Sequence, residues 1–270
     1  MIKYMGHNFW IVILVAFLVL FFSVRKFEQK SMFFPKKGFD PDMPAPSFKY
    51  EDVYLTTGDG VRLNGWYISS PGAKDTILFF HGNAGNISNR IPKLTALSAM
   101  GVNVFIVDYR GYGYSGGVPG EKGFYLDAEA AYKYLIDVKK STGMEIILLG
   151  GSIGAAVAVE LASKKEVKAL IADGAFSSVK DMAAMYYPVI PPVVISAKFD
   201  SISKIKDISC PKLFMHSADD EVVPISMGEK LYAAAKPPKF FAKTHGYHND
   251  ISWDGGREFS RVIKSFIDSL

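Results

Sequence analysis

Six short runs of nearly unbroken apolar residues restrict the fold of this chain more than any other feature. They are Thr76–Phe80, Val102–Tyr109, Glu145–Gly150, Val167–Asp173, Pro211–Ser217 and Pro238–Lys243. None has the strict in–out alternation of a strand with one wet face. Such runs fit strands buried on both faces. Between them lie stretches with helical spacing at 87–100, 121–140, 153–165, 225–235 and 256–270. Strands alternating with helices predict an α/β fold: a mainly parallel central sheet with helices on both faces. Ahead of them, 51–57 and 61–68 flank Gly58-Asp59-Gly60, which reads as a leading antiparallel hairpin at one sheet edge.

The N-terminus is of a different kind. Phe9–Val24, FWIVILVAFLVLFFSV, has one polar residue, Ser23. As a helix it spans roughly 24 Å, slightly less than the hydrocarbon core of a bilayer. It ends in FFSVRKF, without the small-x-small site of a cleaved signal peptide. The reading is an uncleaved, single-pass transmembrane anchor over residues 1–30, a Pro- and Gly-rich linker over 31–47, and a folded domain over 48–270. Residues 1–37 hold six basic side chains and one acid, Glu28, so a net +4 chain carries a domain of about −1. The basic pI therefore belongs to the anchor and gives no support for nucleic-acid binding. Basic residues are denser after the apolar run than before it, which favours a cytoplasmic domain, although Lys3 and the amino terminus oppose that sense. The single cysteine, Cys210, excludes an intrachain disulfide, and no Cys/His cluster has zinc-site spacing. No metal or organic cofactor is expected, and the sequence leaves the oligomeric state open.

Three glycine-rich turns follow strand runs, where open α/β sheets bind ligands. Gly111, Gly113 and Gly116 formally match G-x-G-x-x-G, but GVPGEKG intervenes before helical spacing resumes, whereas a dinucleotide site enters its helix at once. His81–Asn86, HGNAGN, lacks the G-K-[ST] ending of a P-loop; such a loop can aim a backbone N–H at a developing oxyanion. Gly150-Gly151-Ser152-Ile153-Gly154 fits G-x-S-x-G between a strand and a helix, the nucleophile elbow. Its serine needs a strained backbone, and Gly150 and Gly154 relieve the crowding two residues either side.

A serine hydroxyl needs a base, and the base needs an acid to orient it. In elbow enzymes the order is Ser, acid, His. Of five histidines, only His245 and His248 fall late enough, in the loop before the last helix; His248, in HND, fits better and His245 is the alternative. The loop ADDEVVP offers Asp219, Asp220 and Glu221, and Asp173 after the preceding strand is a second possible acid.

FFHGNAGN, VDYRGYGYSGG, GGSIGAA, HSADDEVVP and HND occur in this order. With these signals the chain from about Phe48 to Leu270 resembles the α/β-hydrolases, and more narrowly the small-cap serine hydrolases that carry HGNAGN. Those include membrane-associated bacterial and fungal hydrolases and mammalian depalmitoylating serine hydrolases. The resemblance implies an α/β-hydrolase fold with a short cap at about 176–208. It implies Ser152 as nucleophile, Asp220 as acid, His248 as base, and the backbone N–H groups of Asn83 and Ile153 as oxyanion donors. Ala155 stands where the family often has a second glycine, and Ser217 replaces a usual glycine. The implied substrate is a small acyl ester or thioester, with the membrane met through the N-terminal helix. A peptidase or amidase of the serine aminopeptidase type, and a non-catalytic binding scaffold, are the alternatives. MYYPVIPPVV in the cap reads either as a rim facing an acyl chain or membrane, or as a loop packed on the core.

Overall fold

The computed structural model describes residues 2–189, 191, 195–249 and 257–270. The chain opens with one long helix, α1 (Ile2–Met32), and a two-residue strand, β1 (Phe34–Pro35). Next come β2 (Glu51–Thr56), β3 (Arg62–Ile68), β4 (Thr76–Phe80), the two-residue β5 (Ala84–Gly85), α2 (Ile91–Ser98) and β6 (Asn103–Val107). These are followed by α3 (Glu121–Asp137), β7 (Ile146–Gly151), α4 (Ile153–Ala162) and β8 (Ala169–Asp173). Two short helices, α5 (Val179–Tyr186) and α6 (Ser201–Lys204), precede β9 (Lys212–Ser217), α7 (Ile225–Ala234), β10 (Lys239–Thr244) and α8 (Arg257–Ile267).

Eight strands form one sheet in the order β10-β9-β8-β7-β4-β6-β3-β2. The pairings from β10 through β6 are parallel, and β3 joins β6 and β2 antiparallel. The mainly parallel sheet and the leading hairpin are therefore as expected. From β4 the chain steps to β6 on one side. It then returns to β7 on the other side and continues outward to β10. The direction of strand addition reverses at β4 and β7, so a crevice opens between their carboxyl ends.

The unbroken apolar runs have a simple cause. Along β4, Leu78 and Phe80 enter the core on one side of the sheet, with Leu148 and Leu170; Ile77 and Phe79 enter the core on the other side, with Leu149 and Ile171. Side chains alternate between faces with period two, and both faces are dry. Each such Val, Ile, Leu or Phe contributes roughly 1.5–3 kcal/mol by its burial. Helix α4 is buried along its whole length, and its alanines allow close approach to the sheet. Its one charge, Glu160, is neutralised by Lys164 and Lys204, each at 2.6 Å.

Residues 31–47, expected as a linker, include segments bound to the domain. β1 pairs with β5, and Phe33 is buried against Phe124 and Phe199. The glycine loop after β6 spends its amides on backbone carbonyls: Gly111 donates to Gly116 within the loop, Gly113 to Lys36 after β1, and Gly116 to Arg62 of β3. Those N–H groups serve loop packing, consistent with the rejected dinucleotide reading. In the cap, residues 190 and 192–194 of MYYPVIPPVV lie outside the described residues, as does Asp250 of HND.

Arg110 locks the hairpin to α3. Its guanidinium meets Asp59 through two hydrogen bonds of 2.8 and 3.0 Å, and its Nε donates to Asp127 at 2.9 Å. Its backbone N–H also donates to Asp127, which is fully buried. Removing the guanidinium strands a buried carboxylate. Arg110→Ala is expected to lose about 3–5 kcal/mol of stability in urea unfolding. A midpoint equal to wild type would show that the network does not hold the hairpin.

Candidate active site

The site is assembled where the sheet reverses. β7 delivers Ser152 at its carboxyl end, and α4 begins with the next residue. Ser152 has φ 54° and ψ −120°, in the left-handed region that a side chain rarely adopts. Such a conformation costs of order 1–3 kcal/mol and persists only when its surroundings over-determine it. They do so here. The Ser152 N–H donates to the Asp173 carbonyl at 2.8 Å, and the Ser152 carbonyl accepts from Ala155 at 2.9 Å. A Cβ on Gly154 would stand 2.0 Å from the Phe80 carbonyl oxygen, and one on Gly150 would stand 2.3 Å from that of Gly154. Gly151 has open space around it. The two outer glycines are thus sterically required and the middle one is not.

β9 and β10 bring the acid and the base to the same edge. His248 Nδ1 lies 2.7 Å from Asp220 Oδ2, and both side chains are almost fully buried. The other oxygen of Asp220 accepts the amides of Val222 and Val223 at 2.9 and 2.7 Å. Burial opposes ionisation of Asp220. The hydrogen bonds from His248 and from the Val223 and Val222 amides outweigh that effect and hold its carboxyl below the usual carboxylate value. An ionised Asp220 only accepts, so His248 Nδ1 is the donor in this hydrogen bond. The His248 backbone is fixed by a 2.9 Å hydrogen bond from its N–H to Glu221.

The other histidines and acids near the site have partners of their own. His245 pairs with Asp219 at 2.9 Å on an exposed surface. Asp173 is engaged by Lys93 at 2.8 Å. His216 is buried, with Nε2 2.8 Å from the Val223 carbonyl and 3.6 Å from Asp220 Oδ2, so it packs behind the acid. Among these groups, His248–Asp220 is the buried histidine–carboxylate pair within hydrogen-bond distance, and both residues line a cavity with Ser152.

Asn83 follows β4 and is pinned from three directions. Its carbonyl accepts from Phe34 N–H at 3.1 Å and Tyr112 Oη at 2.7 Å, and its side chain donates to the Met32 carbonyl at 2.9 Å. Ile153 is the first residue of α4, so helix geometry gives its N–H no partner within the helix.

Two cavities meet at Ser152. One, of about 130 Å³, is lined by polar groups including Lys93, Asp173, Asp220 and His245. The other, of about 550 Å³, is largely apolar and includes Asn83, Ile153, Phe176, Met182 and Tyr186. Ser152, His248, Gly82, Arg90 and Asn249 line both. The sequence reading missed two contributors: the Lys93–Asp173 pair, and Phe27, Ser31 and Met32 at the end of α1. A signal for the second existed, since Phe27 and Ser31, and Glu28 and Met32, are four apart and so share a helix face.

Residues 71–204 match the sequence profile of the family described as serine aminopeptidase, S33. Protein Rv2307c of Mycobacterium tuberculosis is 35% identical over 95% of this chain and 92% of its own length. Protein bem46 of Schizosaccharomyces pombe is 34% identical over 88% of this chain and 85% of its own length. Among solved structures, the Pyrococcus furiosus esterase Pf2001 superposes with a TM-score of 0.72 at 26% identity, covering 88% of this chain and 99% of that chain.

The glycine geometry makes a direct contrast. Gly154→Ala forces backbone to shift and should destabilise by about 1–3 kcal/mol or more. Gly151→Ala should unfold within a few tenths of a kcal/mol of wild type on the same thermal scan. Equal melting temperatures for the two variants would contradict the elbow packing.

Proposed function

This chain belongs to the α/β-hydrolase superfamily, and on that premise we propose that it is a membrane-anchored serine hydrolase of carboxyl esters or thioesters. One observation carries the reading: the buried His248–Asp220 pair lines the polar cavity together with the strained Ser152, and His248 lines the apolar cavity with it as well. Family membership and the likeness to an esterase support hydrolysis as the reaction class. α1 supports the anchor. An 18-residue window of Phe9–Met32 has a mean hydropathy of 2.2, and Phe9, Trp10, Phe17 and Phe22 are exposed along it. A soluble domain does not sustain so large an apolar surface in water.

The chemistry follows from the proton positions. Ser152 Oγ attacks the acyl carbonyl carbon while His248 Nε2 takes the hydroxyl proton. The new C–O bond pushes negative charge onto the carbonyl oxygen, and the N–H groups of Asn83 and Ile153 are the donors proposed to meet it. Asp220 keeps the imidazole in its Nδ1–H form and stabilises the imidazolium. His248 then gives the proton to the leaving alcohol or thiol as its bond to the acyl carbon breaks. Water repeats the sequence: His248 takes its proton, the acyl–Ser152 bond breaks, and the proton returns to Ser152. The fatty acid leaves with the water oxygen.

Each oxyanion donor is worth about 2.7–4 kcal/mol in the transition state. Labelling of the full-length protein with a fluorophosphonate probe tests the nucleophile. Wild type should be labelled and Ser152→Ala should not. Turnover of a p-nitrophenyl ester should fall about 10⁴-fold in Asp220→Asn, whereas Asp173→Asn should stay close to wild type. Folded wild type that resists the probe, or an Asp220→Asn variant as fast as wild type, would remove the basis of the assignment. A matched panel of esters, thioesters and amides then ranks the leaving groups.

A further inference from the structure

The end of α1 is part of the active-site wall. Phe27, Ser31 and Met32 line the apolar cavity of about 550 Å³, facing α5 residues such as Met182 and Tyr186. The cavity size falls within the roughly 300–1,000 Å³ of sites that enclose a small-molecule ligand. The helix end is held in place at three points. Glu28 accepts the N–H groups of Ser196 and Ala197, each at 2.8 Å, and the Ser196 hydroxyl at 2.6 Å. Gln29 donates to the Pro119 carbonyl at 3.2 Å, and the Met32 carbonyl accepts from Asn83 at 2.9 Å. Phe33 then buries itself against Phe124 and Phe199.

The helix carries this wall straight out of its most apolar segment. At about 1.5 Å per residue, Phe27 to Met32 lie roughly 4–12 Å beyond Val24 along the axis. Headgroups occupy about 5–7 Å on each side of the hydrocarbon core. With Phe9–Val24 in that core, the α1 wall of the cavity begins at headgroup depth.

Resting on the hydrolase reading of Ser152, we propose that α1 is a specificity element and not only a tether. It forms one wall of an acyl-chain site that takes a single-chain lipid ester directly from the bilayer. The acyl chain lies between α1 and α5, its carbonyl reaches Ser152, and a small polar alcohol occupies the 130 Å³ polar cavity. The limited polar space favours a small alcohol over the bulk of an acylated protein.

The experiment uses the full chain in phosphatidylcholine vesicles, with half-buried Cys210 replaced by serine. Ser31→Cys and Lys30→Cys place a thiol inside and outside the cavity wall. Each is treated with a long-chain or a short-chain alkyl fluorophosphonate, then with a maleimide dye. The long-chain adduct on Ser152 should slow maleimide modification at position 31 by tenfold or more. It should leave position 30 unchanged, and the short-chain adduct should protect neither. In kinetics, Ser31→Trp should lower the laurate-to-acetate ratio of kcat/KM for p-nitrophenyl esters by at least tenfold. If both phosphonates label Ser152 and neither protects position 31, the α1 wall is wrong while the hydrolase reading stands. If neither phosphonate reacts, both fall. Faster hydrolysis of a soluble S-acyl peptide than of a monoacylglycerol held in the vesicles would overturn the lipid ester as substrate.

Discussion

Ser152 holds a positive-φ backbone between two glycines, and the start of α4 at Gly150 and the end of β4 at Gly154 leave no room for a side chain at either. The conformation is locally unfavourable, so it must be imposed from outside the turn. β4 and β8 impose it. The Phe80 carbonyl closes the space at Gly154, and the Asp173 carbonyl takes the Ser152 amide. Both contacts need β4, β7 and β8 side by side in parallel register. The buried sheet is therefore the device that keeps one serine in a conformation it would not choose alone, and the helix α4 that follows is buried on every side to brace it.

The same edge carries several carboxylates, and their separate partners give them separate uses. Asp220 is desolvated, faces His248 and is braced by two amides, which suits a group that stays charged and fixed. Asp173 sits one strand away but is neutralised by Lys93, so its charge does not compete for the imidazole. Asp219 holds His245 out in solvent, where the pair is screened and weak. Gly174 matters to this sorting. Its φ of +57° is one that L side chains rarely adopt, and a Cβ there would meet His248 and Asp220 at ordinary contact distances of 3.4 and 3.6 Å.

Much of this was legible because it is local. Unbroken apolar runs reported strands buried on both faces, Asp59-Gly60 reported the hairpin, and the glycines around Ser152 reported a crowded turn. The choice between Asp173 and Asp220 was not local. It depends on Lys93, 80 residues before Asp173 in sequence and brought to it only by the fold. The resemblance pointed to Asp220, whereas residue pattern alone left the alternatives open. The β1–β5 ladder was hidden for a different reason: two-residue strands carry no periodicity, and Phe34–Pro35 looks like any loop. The α1 wall escaped because an apolar helix reads as a membrane span, and hydropathy does not say which face of its last turns meets a protein.

The attachment of α1 has a consequence for how rigid the apolar cavity is. Among the described residues, the cap contributes α5, α6 and their connections. Glu28 fastens the connection at Ser196 and Ala197 to α1, and hydrogen bonds to a charged acceptor contribute about 1.5–3 kcal/mol each. Tyr186 fastens α5 to the Val222 carbonyl of the acid loop at 2.8 Å. The two walls are thus tied to opposite sides of the site, one to the helix and one to the loop that carries Asp220. Movement of α1 relative to the domain would have to break the Glu28 contacts and withdraw Met32 from Asn83, whose amide is the proposed oxyanion donor. The orientation of the helix and the geometry around Ser152 are in that sense one mechanical unit, joined at Asn83 by its hydrogen bonds to Met32 and Phe34.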